Sequence, residues 1–249
     1  MTRLVWGAPG ERFYETGVDR GVLFVGSDPG VAWNGLVSVT ESPTGGEAEP
    51  HYFEGYKYDN RANPEEFEGT IDAFTYPDAF NKCEGNVYLG QGLLITQQRR
   101  SPFSLMYRTK VGNDVLGADR AYKLHVIYNA LAAPSSKAFS SINASPSPAN
   151  FSWKITARPP RIQGMKPTAH FVFDSRKATA AFLTEIENIF YGTDATAPRL
   201  IPPDELMYRA IASATDTYDG KTPTSPQYLT FDGGRLNATP DSTLDGGRP

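Results

Sequence analysis

Through most of its first 175 or so residues, this chain alternates apolar and polar side chains one by one. That spacing puts successive side chains on opposite faces of a strand and does not fit the 3.6-residue repeat of a helix. In Tyr122-Lys-Leu-His-Val-Ile-Tyr128 the residues Tyr122, Leu124, Val126 and Tyr128 share one face, and Lys123, His125 and Ile127 share the other. On this reading His125 is an ordinary outward-facing strand residue. Phe151, Trp153 and Ile155 alternate with Ser152, Lys154 and Thr156, and Arg158-Pro-Pro160 then stops the strand because proline cannot donate to a ladder. Phe13-Tyr14, Val22 to Val25, Val31 to Val39, His51 to Tyr58, Phe67 to Phe74, Gly92 to Thr96 and Phe103 to Val111 complete a series of about ten strands rich in β-branched and aromatic residues. Gly and Pro number 23 and 20, above average usage. They cluster at Asp28-Pro-Gly30, Ser42-Pro-Thr-Gly-Gly46 and Ala133-Pro134, where turns between strands are needed.

The pattern changes near Asp174. Phe182, Ile186, Ile189 and Phe190 stand at i, i+4, i+7 and i+8, the apolar stripe of an amphipathic helix over residues 176–191. Asp174 or Ser175 is placed to cap its start and Gly192 to end it. A second helix over 203–212 is expected, since proline is tolerated in a first turn and Asp204-Glu205 suits the positive N-terminus. Residues 1–215 therefore read as one mainly β (α+β) domain, a β-sandwich or split barrel with a flanking C-terminal amphipathic helix. Residues 216–249 read as a Gly/Pro-rich extension with one possible strand at Tyr228 to Phe231.

Composition narrows the chemistry. The chain carries 24 Lys+Arg against 28 Asp+Glu, a formal charge of −4, and has no basic cluster of the kind that grips phosphate. One cysteine, Cys83, excludes an internal disulfide framework, and three histidines, His51, His125 and His170, do not supply a Cys/His zinc pattern. No Gly-x-Ser-x-Gly elbow, Walker loop or complete dinucleotide fingerprint occurs. The expectation is a non-enzymatic protein without metal or cofactor. No apolar run approaches the roughly 18 residues of a membrane span, and the first residues lack the apolar stretch of a secretory signal. A soluble protein made in a cytoplasm is expected.

Two polar or aromatic patterns remain. In Glu66-Phe-Glu-Gly-Thr-Ile-Asp-Ala73 the residues Glu66, Glu68, Thr70 and Asp72 make one acidic strand face, read either as a solvated outer surface or as a lining. The aromatics of Tyr52-Phe-Glu-Gly-Tyr-Lys-Tyr58 suit either sugar binding or the packing of a core or interface.

Several adjoining stretches carry a resemblance. Glu65 to Phe80, Tyr107-Arg-Thr-Lys-Val-Gly-Asn-Asp114, Tyr122 to Ala130, Phe151-Ser-Trp-Lys-Ile-Thr-Ala-Arg-Pro159 and Lys166 to Ser175 succeed one another in an order that resembles the major tail proteins of long-tailed, non-contractile bacteriophages, particularly those infecting actinobacteria. The resemblance spans most of residues 50–212 and implies a virion structural protein. Its subunits would form hexameric rings that stack into the tail tube through which DNA passes without being bound. It further implies self-assembly, with tape-measure, tail-completion and baseplate proteins as partners. Within that frame Glu66, Glu68 and Asp72 become lumen candidates. The loops Ser42 to Pro50, with Gly45 and Gly46, and Asn60 to Pro64, with Asn63, become candidates for contact with the next ring. The alternative from another class is a β-rich glycan-binding or capsid-decoration module.

Overall fold

The computed structural model describes residues 3–139, 141, 148–219, 231–232 and 235–236. The first half contains β1 (Phe13–Val25), β2 (Val31–Trp33), β3 (Leu36–Glu41), β4 (Thr44–Gly45), β5 (Ala48–Phe53), β6 (Tyr56–Ala62), β7 (Glu65–Glu66) and β8 (Glu68–Ala73). A single helical turn, α1 (Asn81–Glu84), leads to β9 (Val87–Gly90), β10 (Leu93–Ile95), β11 (Phe103–Asn113), β12 (Gly117–Ala132), β13 (Phe151–Ala157) and β14 (His170–Asp174). The helices α2 (Ala180–Tyr191) and α3 (Pro203–Asp219) follow, then a short ladder of β15 (Phe231–Asp232) and β16 (Arg235–Leu236). The fold is mainly β. Its principal sheet runs β2-β1-β11-β12-β13-β8-β3, with β14 also on β12, and does not close into a barrel.

One strand makes this sheet a sandwich. Lys123 to Ile127 of β12 pair with β14, whereas Ala130 to Ala132 pair with β13. Between the two stretches the register against β11 slips, and Asn129 takes a left-handed φ of 51°. Such a bulge bends a strand and changes its partner. Here it folds β13-β8-β3 back over β1-β11-β12, and the backbone stays satisfied through Tyr128 N–H to Ala169 O at 2.8 Å and Arg158 N–H to Asn129 O at 3.1 Å.

Two cores result. Leu23, Phe80, Leu105, Ile127, Trp153 and Ile155 lie in the first, between the layers. Val22, Phe24, Met106, Leu124, Val126 and Tyr128 point the other way and meet Phe182, Ile186 and Phe190 of α2 and Leu206 of α3. Leu183 is buried as well, and Ile189 packs half-buried against this cluster. The chain after α2 is strapped down by Tyr128 Oη–H to Ile201 O at 2.7 Å and Gly30 N–H to Pro198 O at 3.0 Å.

Several sequence expectations change. Val31 to Val39 is two strands, because Asn34-Gly35, with Gly35 at φ 78°, turns the chain from β2 on one layer to β3 on the other. His51 to Tyr58 is not one strand but the tip of a hairpin, with Phe53 paired to Tyr56 around Glu54-Gly55, both at positive φ. Phe13-Tyr14 and Val22 to Val25 join into the single bulged strand β1. Helix α2 begins after residue 176, at Ala180, with Thr179 as its cap, its hydroxyl accepting from Phe182 N–H at 3.3 Å. Asp174 instead closes a turn on Arg176. Helix α3 passes Ala212 and runs to Asp219, across the 215/216 boundary drawn from composition. Of the strand expected at Tyr228 to Phe231, residues 228–230 lie outside the described residues.

Candidate functional site

Strand β8 places the acidic residues. Gly69, Ile71 and Ala73 are buried inward, leaving Glu68, Thr70 and Asp72 half-buried on the outer face. Gly69 lies so close to β3 that a Cβ there would stand 2.7 Å from Thr40 O. The acids are not bare. Glu68 pairs with Lys154 of β13 at 2.8 Å, and Asp72 accepts from Ser38 Oγ at 2.7 Å. Glu66 is separate from them, exposed on β7 opposite Thr44. The pattern that put all three carboxylates on one face holds for Glu68 and Asp72 and breaks between Glu66 and Glu68, where the strand is interrupted.

The two supposed loops are one arm. Gly45 of β4 pairs with Glu65 of β7, Asn63 N–H donates to Glu47 O at 3.1 Å, and Pro50 of β5 pairs with Asn60 of β6. Gly45 needs its φ of 81° and its bare Cα, since a Cβ would come within 2.3 Å of Pro64 O. Ser42 anchors the base through its N–H to Glu68 O at 2.9 Å, and Gly46, at φ 72°, lies at the bend between β4 and β5. The arm carries Tyr52, Phe53, Tyr56 and Tyr58, each 65–82% exposed. A second hairpin, β9-β10, exposes Tyr88, Leu89 and Leu93, and the N-terminal Leu4, Val5 and Trp6 are exposed too.

A polar cluster sits at the rim of the first core, and the alternation did not point to it. His125 is buried, not outward, because both faces of β12 are covered. Its ring stacks on Tyr107 at 4.7 Å. Glu41, from β3 across the sandwich, accepts from Tyr107 Oη–H at 2.5 Å; its Oε1 also lies 3.2 Å from His125 Nδ1 and 3.5 Å from His170 Nε2. His125 Nδ1 and His170 Nε2 are 3.2 Å apart. On the far side of His125, Nε2 is 3.1 Å from Thr109 Oγ1, whose hydroxyl donates to Glu15 at 2.6 Å. Lys123 also donates to Glu15, at 2.5 Å.

Electrostatics follow the contacts. A proton on the facing His125 nitrogen, and next the Tyr107 hydroxyl, would hold the Glu41 carboxyl down at about 2 despite desolvation. Burial acts to raise Glu15, but hydrogen bonds from Lys123 and Thr109 outweigh it and leave the carboxyl below its ordinary value. Burial pushes His170 down, favouring its neutral ring. Glu41, His125 and His170 are thus a set of donor atoms able to hold a metal ion, a chemistry that the count of cysteines and histidines had set aside. Cys83 takes no part. It is buried and free, its thiol pushed up to about 12 by desolvation.

No family model matches the chain, and no curated protein does. Among solved structures, the chain is similar to the sheath/tube terminator of an extracellular contractile injection system, with 13% identity, a TM-score of 0.32, and 69% of this chain and 99% of that chain covered. It is also similar to a chain of the anti-feeding prophage baseplate (10% identity, TM-score 0.33, coverage 68% and 97%). A third likeness is to Hcp1 from Flavobacterium johnsoniae (12% identity, TM-score 0.29, coverage 63% and 99%). Likeness at these identities and TM-scores assigns neither family nor role. No helix among the described residues is long and apolar enough to cross a membrane.

Proposed function

We propose that this chain is a self-assembling structural subunit of a phage-type tail tube, non-enzymatic, forming stacked hexameric rings around a bore. The supporting observation is the apolar surface exposed among the described residues. The arm β4–β7, the hairpin β9-β10 and the N-terminal segment all project large apolar side chains, and such patches on a folded chain mark protein contacts. Among the described residues β2 and β3 are the end strands of the sheet, edges that neighbouring copies can complete, which closed symmetry achieves without leaving edges exposed. The arm reaches the next ring, and Glu68 and Asp72 line the bore, where negative charge repels passing phosphate over a Debye length of roughly 8 Å. Lys154 offsets part of that charge. In this reading the subunit belongs to the virion, and tape-measure, tail-completion and baseplate proteins are its partners.

A glycan-binding module is the second reading, favoured by the exposed Tyr52, Tyr56 and Tyr58. Those rings stand on a thin two-stranded arm, not in a concavity of the kind that encloses a small ligand. The exposed aliphatic residues on β9-β10 suit a protein partner better. Sedimentation of the wild type against Phe53→Ser/Tyr56→Ser separates the two. A tube subunit loses concentration-dependent assembly while keeping its melting temperature. Assembly unchanged by both substitutions excludes the arm as a contact.

A further inference from the structure

We infer that Glu41 Oε1, His125 Nδ1 and His170 Nε2 form a divalent transition-metal site, suited to Zn²⁺, that staples the two layers of the sandwich together. Three observations carry this, none of which depends on the tube reading.

The first is spacing. The three atoms stand 3.2, 3.2 and 3.5 Å apart. A tetrahedral ion with bonds of about 2.0–2.1 Å sets its ligand atoms about 3.3–3.4 Å from one another. Two imidazoles and one carboxylate are a recognised donor set for zinc, leaving a fourth position for water.

The second is the hydrogen count around His125. Thr109 has one hydroxyl hydrogen, and it goes to the Glu15 carboxylate at 2.6 Å. Thr109 Oγ1 must therefore accept from His125 Nε2–H. A neutral His125 then has a bare Nδ1 lone pair, which faces the Glu41 oxygen and the His170 nitrogen with no hydrogen of its own to offer either. That bare Nδ1 is filled either by the Nε2–H of a neutral His170 at 3.2 Å or by a cation, and only the cation also draws the Glu41 carboxylate into the same contact. Fixing the far nitrogen of a ligating histidine by a hydrogen bond is also how metal sites set tautomer and ring orientation. The amine of Lys123, on the same strand, is engaged with Glu15 at 2.5 Å.

The third is rigidity and access. His125 is clamped by the Tyr107 ring, and His170 lies against Phe67 with ring centroids 5.1 Å apart. The Glu41 side chain is 34% exposed and gives the ion a way in. The ligands come from β3, β12 and β14, so one ion ties the layers together.

The competing occupant is a proton, either on Nδ1, making His125 an imidazolium, or on His170 Nε2, donated to His125 Nδ1 at 3.2 Å. The test uses the full chain, stripped with chelator and titrated with Zn²⁺ by calorimetry, with melting followed in parallel. The expected result is one Zn²⁺ per chain and a melting temperature that rises with Zn²⁺, since a ligand bound only by the folded state stabilises it. Glu41→Gln and His170→Ala should each weaken binding at least about tenfold, and Thr109→Val, which touches no metal, should weaken it about 10–100-fold. His51→Ala, on the exposed arm, should bind as the wild type does. Absence of stoichiometric uptake overturns the inference, as does equal uptake in folded Glu41→Gln. If the variants fail to fold, nitrogen NMR of the wild type decides: an Nδ1 of His125 or an Nε2 of His170 still protonated at saturating Zn²⁺ also overturns it.

Discussion

The residues that hold the first core together include a buried carboxylate. Glu84 of α1 accepts from Trp153 Nε1–H at 2.6 Å, from Lys137 Nζ at 2.7 Å and from Asn86 at 3.0 Å. Lys137 also sits over the Tyr76 ring at 4.7 Å, pinning the segment after β12. Removing one partner of a buried ion pair leaves the others desolvated and unmatched. Glu84→Ala should cost about 3–5 kcal/mol in denaturant unfolding; a loss below about 1 kcal/mol would show that the network is dispensable. On the helix-facing side, Arg108 binds Asp19 through two bonds of 2.7 Å. The guanidinium holds the Asp19 carboxyl below its ordinary value. A depressed carboxyl contributes stability above its unfolded pKa of roughly 4, and that contribution is lost as pH falls through the lower folded value. The wild type should therefore exceed Asp19→Asn by up to about 1 kcal/mol at pH 7, given partial exposure. The gap should shrink steadily below about pH 4; a gap independent of pH would contradict the assignment.

At the scale of elements, what alternation and stripes can report decides how much was legible. The strand content and the Phe182, Ile186, Phe190 stripe of α2 could be read because one face of each is apolar and the period is clear. Strand β12 shows the limit. Its two faces look out on two cores, Leu124 and Val126 toward the helices and Ile127 toward Trp153's cluster, so alternation separated the faces without telling inside from outside. His125 was lost for that reason, and Glu41 and His170 with it, since three residues from three strands meet only through the sandwich. The hairpin tip at Glu54-Gly55 lacks the Asn-Gly signature of a two-residue turn, whereas Asn34-Gly35 carries it inside an apolar run that read as continuous. Phe190→Ala tests the helix contact directly. Phe190 is fully buried against Phe24, with ring centroids 6.0 Å apart, and truncation should destabilise by about 3–5 kcal/mol. Unfolding curves that superpose on the wild type would show that α2 is not part of the cooperative core.

The molecule is a mainly β sandwich carrying two helices on one face and arms whose apolar side chains are exposed among the described residues. On the proposed reading such a chain is completed by copies of itself, and closed rings would give each exposed strand edge and arm a partner. On the same proposal the acidic residues on the outer face of β8 would line the bore, and the Glu41, His125 and His170 cluster lies inside each subunit, independent of any ring. The most direct measurement is electron microscopy of the purified chain at rising concentration, with solution mass followed in parallel. Rings or tubes of six-fold symmetry with a central bore are the predicted result. Closed particles without a bore, or a chain that stays monomeric throughout, would contradict the account.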